Sequence, residues 1–255
     1  MNNLIKRNSI IAFILLDDKN FNDFTYQLKK DWNIDTAVIS CKNKNSFAIE
    51  EADFQYELAP FNIPNNEAEI LMNYNDIDEL TKQKILNHKS FLSINVNADK
   101  TDFKDIALIF SKICYSIIKT NNVSAVLIGS INLLISGSIY LFEMNEYIKN
   151  NKYFPARLWV RIDVFSDNNG NHAYTEGLKN FGKYEIMAYK TVREAESIIN
   201  LLIILSRSII ENNLDIKDGN TMQTDDNYIG MFKFFDNKFI MLEKNLKDIN
   251  KNNQT

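Results

Sequence analysis

Arg161, Asp163, Tyr174 and Glu176 are the residues of this chain whose types could do chemistry together, if the fold brings them together. Two carboxylates held by an arginine could serve as an acid and base pair, and Tyr and Arg are the side chains that most often anchor protein interfaces. Their spacing shows how they could meet. In "RLWVRIDVF", Leu158, Val160, Ile162 and Val164 alternate with Trp159, Arg161, Asp163 and Phe165, the period of a strand with one aliphatic face and one mixed face. "SDNNGN" follows, rich in the residues that tolerate a hairpin turn. A turn centred between Asn168 and Asn169 sets Arg161 opposite Glu176, Asp163 opposite Tyr174 and Phe165 opposite His172, all on the mixed face, with Val160, Ile162 and Val164 toward the core. The economical reading of that face is solvated cross-strand ion pairs, worth about 0.2–1 kcal/mol each. The four residues are therefore candidates for partner binding, and no catalytic residue is assigned.

The remaining chemistry-bearing residues have plainer readings. His172 is a strand residue beside a turn, and His88, in "LNHKS", lies near a helix end where histidine is ordinary. Two histidines without HxxH or HExxH spacing and two cysteines without CxxC spacing give no metal site, and no cofactor motif is present, so purified protein is expected to carry no stoichiometric metal. Cys114 falls on an apolar helical stripe and reads as a small core residue. Glu67 and Glu69 in "IPNNEAE" read as first-turn acids after an Asn66 cap. "KDGNT" at Lys217–Thr221 is a turn without the spacing of a phosphate loop.

The elements that position these residues can be read from periodicity. Ile10–Leu16 is a continuous apolar run, expected of a central strand covered on both faces. Phe21, Phe24, Leu28 and Trp32 predict a helix over 21–32, and Phe47 to Leu58 predict a hairpin turning at 50–53. Asp102–Thr120 reads as an amphipathic helix capped by Thr101. Gly177 and Gly182 bracket "LKNF", and with Phe181 they predict a tight structural corner into the strand "YEIMAY". Thr191–Asn212 reads as a helix whose polar stripe, Glu196, Asn200, Arg207 and Glu211, is interrupted by Ile203 and Ile204. That pair is a second candidate for partner contact, or for closing a homodimer; cover by the chain's own C-terminal strands is the plainer account.

Composition removes further classes. With 29 basic against 33 acidic residues, a net charge of −4, the chain lacks the positive excess of nucleic-acid binders. Two separated cysteines in 255 residues imply no disulfide framework and fit a reducing cytoplasm. The opening apolar run is followed by Asp17 and Asp18, unlike an export signal, and Ala125–Phe142 reads as a strand and helix in series and not as a membrane span. No Gly-, Ser- or Pro-rich linker interrupts the chain, so one α+β domain is expected over 1–250, a mixed, largely antiparallel sheet covered by amphipathic helices, with a frayed polar tail at 251–255.

"YTEGLKNFGKYEI" resembles the Tyr-Thr-x-Gly-x-x-x-Phe-Gly-x-x-Glu signature of bacterial proteins catalogued as domain-of-unknown-function family 4261. "AFILLDD", "IPNNEAE" and "IENNLDIKDGNT" agree in order, while "MFKFFDNKFIMLEKN" after Gly230 lacks the glycines of the family's last hairpin. The resemblance implies an α+β cytoplasmic domain and carries no reaction. Family members are sometimes encoded near secreted toxin systems, which implies an immunity or accessory protein that neutralises or escorts a protein partner such as a toxin. The alternative is a hydrolase-like enzyme using Arg161, Asp163 and Glu176.

Overall fold

The structure, a computed structural model, describes residues 7–41, 44–73, 75, 77–99, 101–150, 153–191, 193–225 and 228–245. The expected tail at 251–255 lies outside them. The chain is α+β, as its patterning predicts, but its strands form two sheets and its contacts divide into two compact units, Met1–Trp159 and Val160–Thr255. The boundary has no linker composition: Trp159 and Val160 are both buried, so nothing in sequence marks it.

In the first unit, β1 (Arg7–Leu16) is followed by α1 (Thr25–Trp32), β2 (Ile39–Cys41), β3 (Lys44–Ile49), β4 (Ala52–Ala59), α2 (Glu67–Met72), α3 (Glu79–Leu86) and β5 (Ser90–Asp99). Then come α4 (Phe103–Thr120), β6 (Val123–Ile128), β7 (Leu133–Ser136) and α5 (Gly137–Lys149). The antiparallel sheet runs β2-β3-β4-β5-β1-β6-β7, so the apolar run at Ile10–Leu16 is an interior strand. It is not covered evenly: Ile14, Leu15 and Leu16 are buried, whereas Ile11 is exposed. Beside Leu15, residues of α2 and α3 cover the sheet through Ala68, Met72 and Ile85. The β3–β4 hairpin turns at Glu50, at φ 53°, and pairs Phe47 with Phe54, whose rings stack at 5.1 Å.

Three helix N-termini in this unit differ from the expectation in start or cap, and the helix expected from Thr191 begins at Ala195, because Thr191 ends a strand. α1 begins at Thr25 because the Asp23 carboxylate accepts from the Thr25 N–H (2.9 Å) and hydroxyl (2.8 Å). The cap of α4 is Asp102, which accepts from the Lys104 N–H at 2.9 Å, and not Thr101, whose carbonyl instead accepts from Asn8 at 2.7 Å. Asn66 precedes α2 but takes a left-handed conformation and makes no side-chain cap bond. Cys114 sits in the core with Tyr140 and Trp159, and the Trp159 indole N–H donates to Ser111 at 2.9 Å. Burial pushes the Cys114 thiol far above the usual cysteine range.

The second unit holds β8 (Arg161–Asp167), β9 (Gly170–Glu176), β10 (Glu185–Thr191), α6 (Ala195–Glu211), β11 (Thr221–Asp225), β12 (Tyr228–Phe235) and β13 (Lys238–Asn245). Their sheet runs β11-β12-β13-β10-β9-β8, antiparallel except for the β10–β13 pair. β8 starts later than the alternation suggests, because Ala156–Leu158 form a 3₁₀ turn. The β12–β13 hairpin needs no glycine: Asp236 and Asn237, at φ 49° and 57°, supply the two left-handed residues that such a turn demands.

Candidate functional site: the second sheet

The β8–β9 register is the one the turn chemistry predicts, Arg161 opposite Glu176, Asp163 opposite Tyr174, Phe165 opposite His172. One guanidinium nitrogen of Arg161 contacts both Asp163, at 2.8 Å, and Glu176. Burial, with the charges of Glu185, Glu176 and Asp163, raises the Tyr174 hydroxyl above the usual tyrosine range, so at neutral pH it is a hydrogen-bond donor and not a base. Nothing in this geometry sets one carboxylate apart from the other as acid and base, since the same nitrogen engages both.

Two rows across the sheet show how differently its faces are treated. Val164, Ala173, Ala188, Met241 and Phe232 are successive partners on one face, and the last four are buried. This is the side of α6, which packs against β8 and β9. Val164, at the edge strand, is half-buried, as is Ile162, so of the three aliphatic residues predicted to face the core only Val160 is fully enclosed. On the other face the successive partners are Asp163, Tyr174, Met187, Ile240 and Lys233. None of the five is buried. Met231 and Leu242, paired alongside, are half-buried, and Phe165 and Phe235 are 49% and 64% exposed. An antiparallel sheet that merely faces water carries polar residues there. This one carries Met, Tyr, Ile, Leu and Phe between an acidic flank on β8–β9 and a basic flank, Lys233 and Lys238, on β12–β13.

His172 lies on this face yet is only 1% exposed. Its ring stacks on Phe165 at 4.9 Å and meets Tyr189 at 4.8 Å. Nδ1 accepts a long bond (3.4 Å) from the Lys190 N–H, and Nε2 lies 3.1 Å from Asp167 Oδ1, close enough for attraction but poorly aligned for a hydrogen bond. His88 is likewise a buried core residue, accepting from the Ile63 N–H at 2.9 Å and donating from Nδ1 to the Ile85 carbonyl at 2.5 Å. Among the described residues no group of three or more His, Cys, Asp or Glu side chains is arranged to hold a metal ion.

Glu185 is the residue that sequence reasoning missed. It is 1% exposed, and its carboxylate accepts from the Thr175 hydroxyl (2.7 Å), the Gly177 N–H (2.9 Å) and the Lys179 N–H (3.1 Å). Thr175 in turn accepts from the Ile186 N–H at 2.8 Å. The corner Leu178–Phe181 is thus built around one carboxylate, entered by Gly177 at φ 132° and left by Gly182 at φ 71°. The spacing Thr175, Gly177, Glu185 within the signature was the available signal: those residues fold the corner. A second missed carboxylate, Glu243, accepts from Thr191 (2.7 Å), Arg193 (2.8 Å) and Thr224 (2.8 Å) and ties β10, β11 and β13 together.

The two Ile candidates on α6 separate. Ile203 is 5% exposed and cannot meet a partner, while Ile204 is 58% exposed. A lone exposed isoleucine is ordinary on a protein surface.

The second unit is thus an antiparallel-rich sheet backed by one helix, with its corner held by an internal carboxylate. Residues 174–237, from β9 to the β12–β13 turn, match the family model described as Domain of unknown function (DUF4261), the family whose signature Tyr174–Glu185 resembles. No curated protein and no solved structure matches the chain. No helix among the described residues is long and apolar enough to cross a membrane.

Proposed function

We propose that this protein works by binding another protein chain through the free face of its second sheet, and not by catalysis. The observation that carries the reading is the row Asp163–Tyr174–Met187–Ile240–Lys233, four residues half-buried and Lys233 exposed across five strands, with an apolar centre and charged ends. Aromatic residues and Met at the centre with charge at the rim are the composition of protein interfaces. An immunity or accessory role, in which the bound chain is a protein such as a toxin, is the biological form this reading takes under the family resemblance. The hydrolase-like alternative finds no support in the shared Arg161 contact.

The test is recovery of the partner from native cells with wild-type protein and with Arg161→Ala and Tyr174→Ala. Both variants are expected to stay folded, Tyr174→Ala losing a half-buried ring and Arg161→Ala the cation between Asp163 and Glu176, at a cost of about 1–2 kcal/mol each, and to lose most of the partner. Full retention by both, with folding intact, would refute the assignment of this face.

A further inference from the structure

We infer that in the free protein this face is occupied by a second copy of the same chain, packed sheet to sheet about a two-fold axis parallel to the strands. The inference rests on the reading of this face as an interface and adds what covers it before any other partner arrives.

The argument is the distribution of charge about the middle of the sheet. In the strand order β11-β12-β13-β10-β9-β8 the five strands from β12 to β8 are centred on β10, where Met187 is paired with Ile240 of β13. On one side lie Asp163, Tyr174 and Glu176, with Arg161 contacting both acids, and on the other Lys233 and Lys238, with Phe235 beside them. A two-fold axis along the strands and over β10 lays β8 and β9 of each copy over β12 and β13 of its partner, acid toward lysine twice, while the Met187 side chains meet at the axis. The other two-fold stacking, with its axis across the strands, sets β8 over β8 and acid toward acid. Charge complementarity therefore selects the first. Two sheets so placed pack in the usual aligned manner about 10 Å apart.

Size agrees. The five overlapping strands, about 4.8 Å apart and each offering three or four outward residues about 6.6 Å apart, span on the order of 500–600 Å² before side-chain relief is added. A specific interface removes about 600–1,000 Å² of accessible surface per partner. The dimer also accounts for Met and Tyr residues on a face that water alone would not favour.

Sedimentation of the full chain from about 0.1 to 100 μM, at low and at physiological salt, decides the matter. Wild type is expected to dimerise, more weakly as salt rises. Lys233→Glu and Asp163→Lys, both on accessible side chains, are each expected to weaken the dimer about tenfold or more, and their combination to recover most of the loss, because the swap restores opposite charges across the axis. Circular dichroism melting checks that each variant folds. A chain monomeric at 100 μM overturns the inference, as does a dimer indifferent to both single substitutions. Neither result touches the proposed function, which stands or falls on partner recovery with Arg161→Ala and Tyr174→Ala; loss there with a monomeric wild type leaves the face an interface for another protein only.

Discussion

Replacing Glu185 with alanine removes the acceptor for three donors at once. The Thr175 hydroxyl and the Gly177 N–H bond it in a buried setting, and the Lys179 N–H in a partly buried one. A buried donor left without a partner costs about 1–3 kcal/mol, so the two enclosed donors alone set a loss of about 2–6 kcal/mol, with a smaller addition from Lys179, whose amide water can reach. The expected total is about 3–5 kcal/mol. Glu185→Gln is the informative control. Its amide oxygen can still accept from both backbone N–H groups, and its NH₂ can donate to Thr175, whose oxygen already accepts from Ile186. Only the charge assistance and one hydroxyl partner are lost, for about 1–2 kcal/mol. With two compact units a single unfolding transition is not assured, so the sharper assay is amide hydrogen exchange at Gly177 and Lys179, which reads the opening of the corner directly. Glu185→Ala should speed exchange there by two orders of magnitude or more, and Glu185→Gln by about tenfold. Equal effects of the two variants, or protection in Glu185→Ala within threefold of wild type, would refute the donor accounting and the role of Glu185 as the corner's organiser.

Two further outcomes follow from the titrating groups. Asp167 is held down to about 2, first by its side-chain interaction with His172 and then by the Asn169 N–H, so its stabilisation of the β8–β9 hairpin is complete above its ordinary value of 3.8 and is lost as pH falls toward 2. A carboxyl-carbon NMR titration should show its midpoint near 2, and a midpoint near 3.8 would show that the His172 and Asn169 contacts do not persist in solution. The cysteines should separate cleanly: Cys41 is exposed and should react with a thiol reagent in the native protein, whereas Cys114 is buried, with its thiol pushed far up by burial, and should react only on unfolding. Rapid labelling of both in folded protein would contradict the core placement of Cys114.

Local sequence determined what depends on neighbouring residues along the chain. The β8–β9 register followed from period-two alternation and the turn composition of 166–171, because in a tight hairpin the turn alone fixes which residues pair. The same holds for the apolar stripe that buries Cys114 in α4, and for Gly177 and Gly182, whose positive φ angles no other residue adopts as cheaply. Where two local signals competed, the choice went to hydrogen-bond geometry: Asp102 and not Thr101 caps α4. Tertiary structure decided what depends on distant strands. Glu185 looks like any strand glutamate until the corner eight residues upstream folds its N–H groups onto the carboxylate. Ile203 and Ile204 are adjacent in an apolar run, and only packing makes one buried and the other exposed. The partition into two sheets, and the bare face of the second, were likewise out of reach of pattern reading, because alternation says that a strand has two faces but not which of them another element will cover.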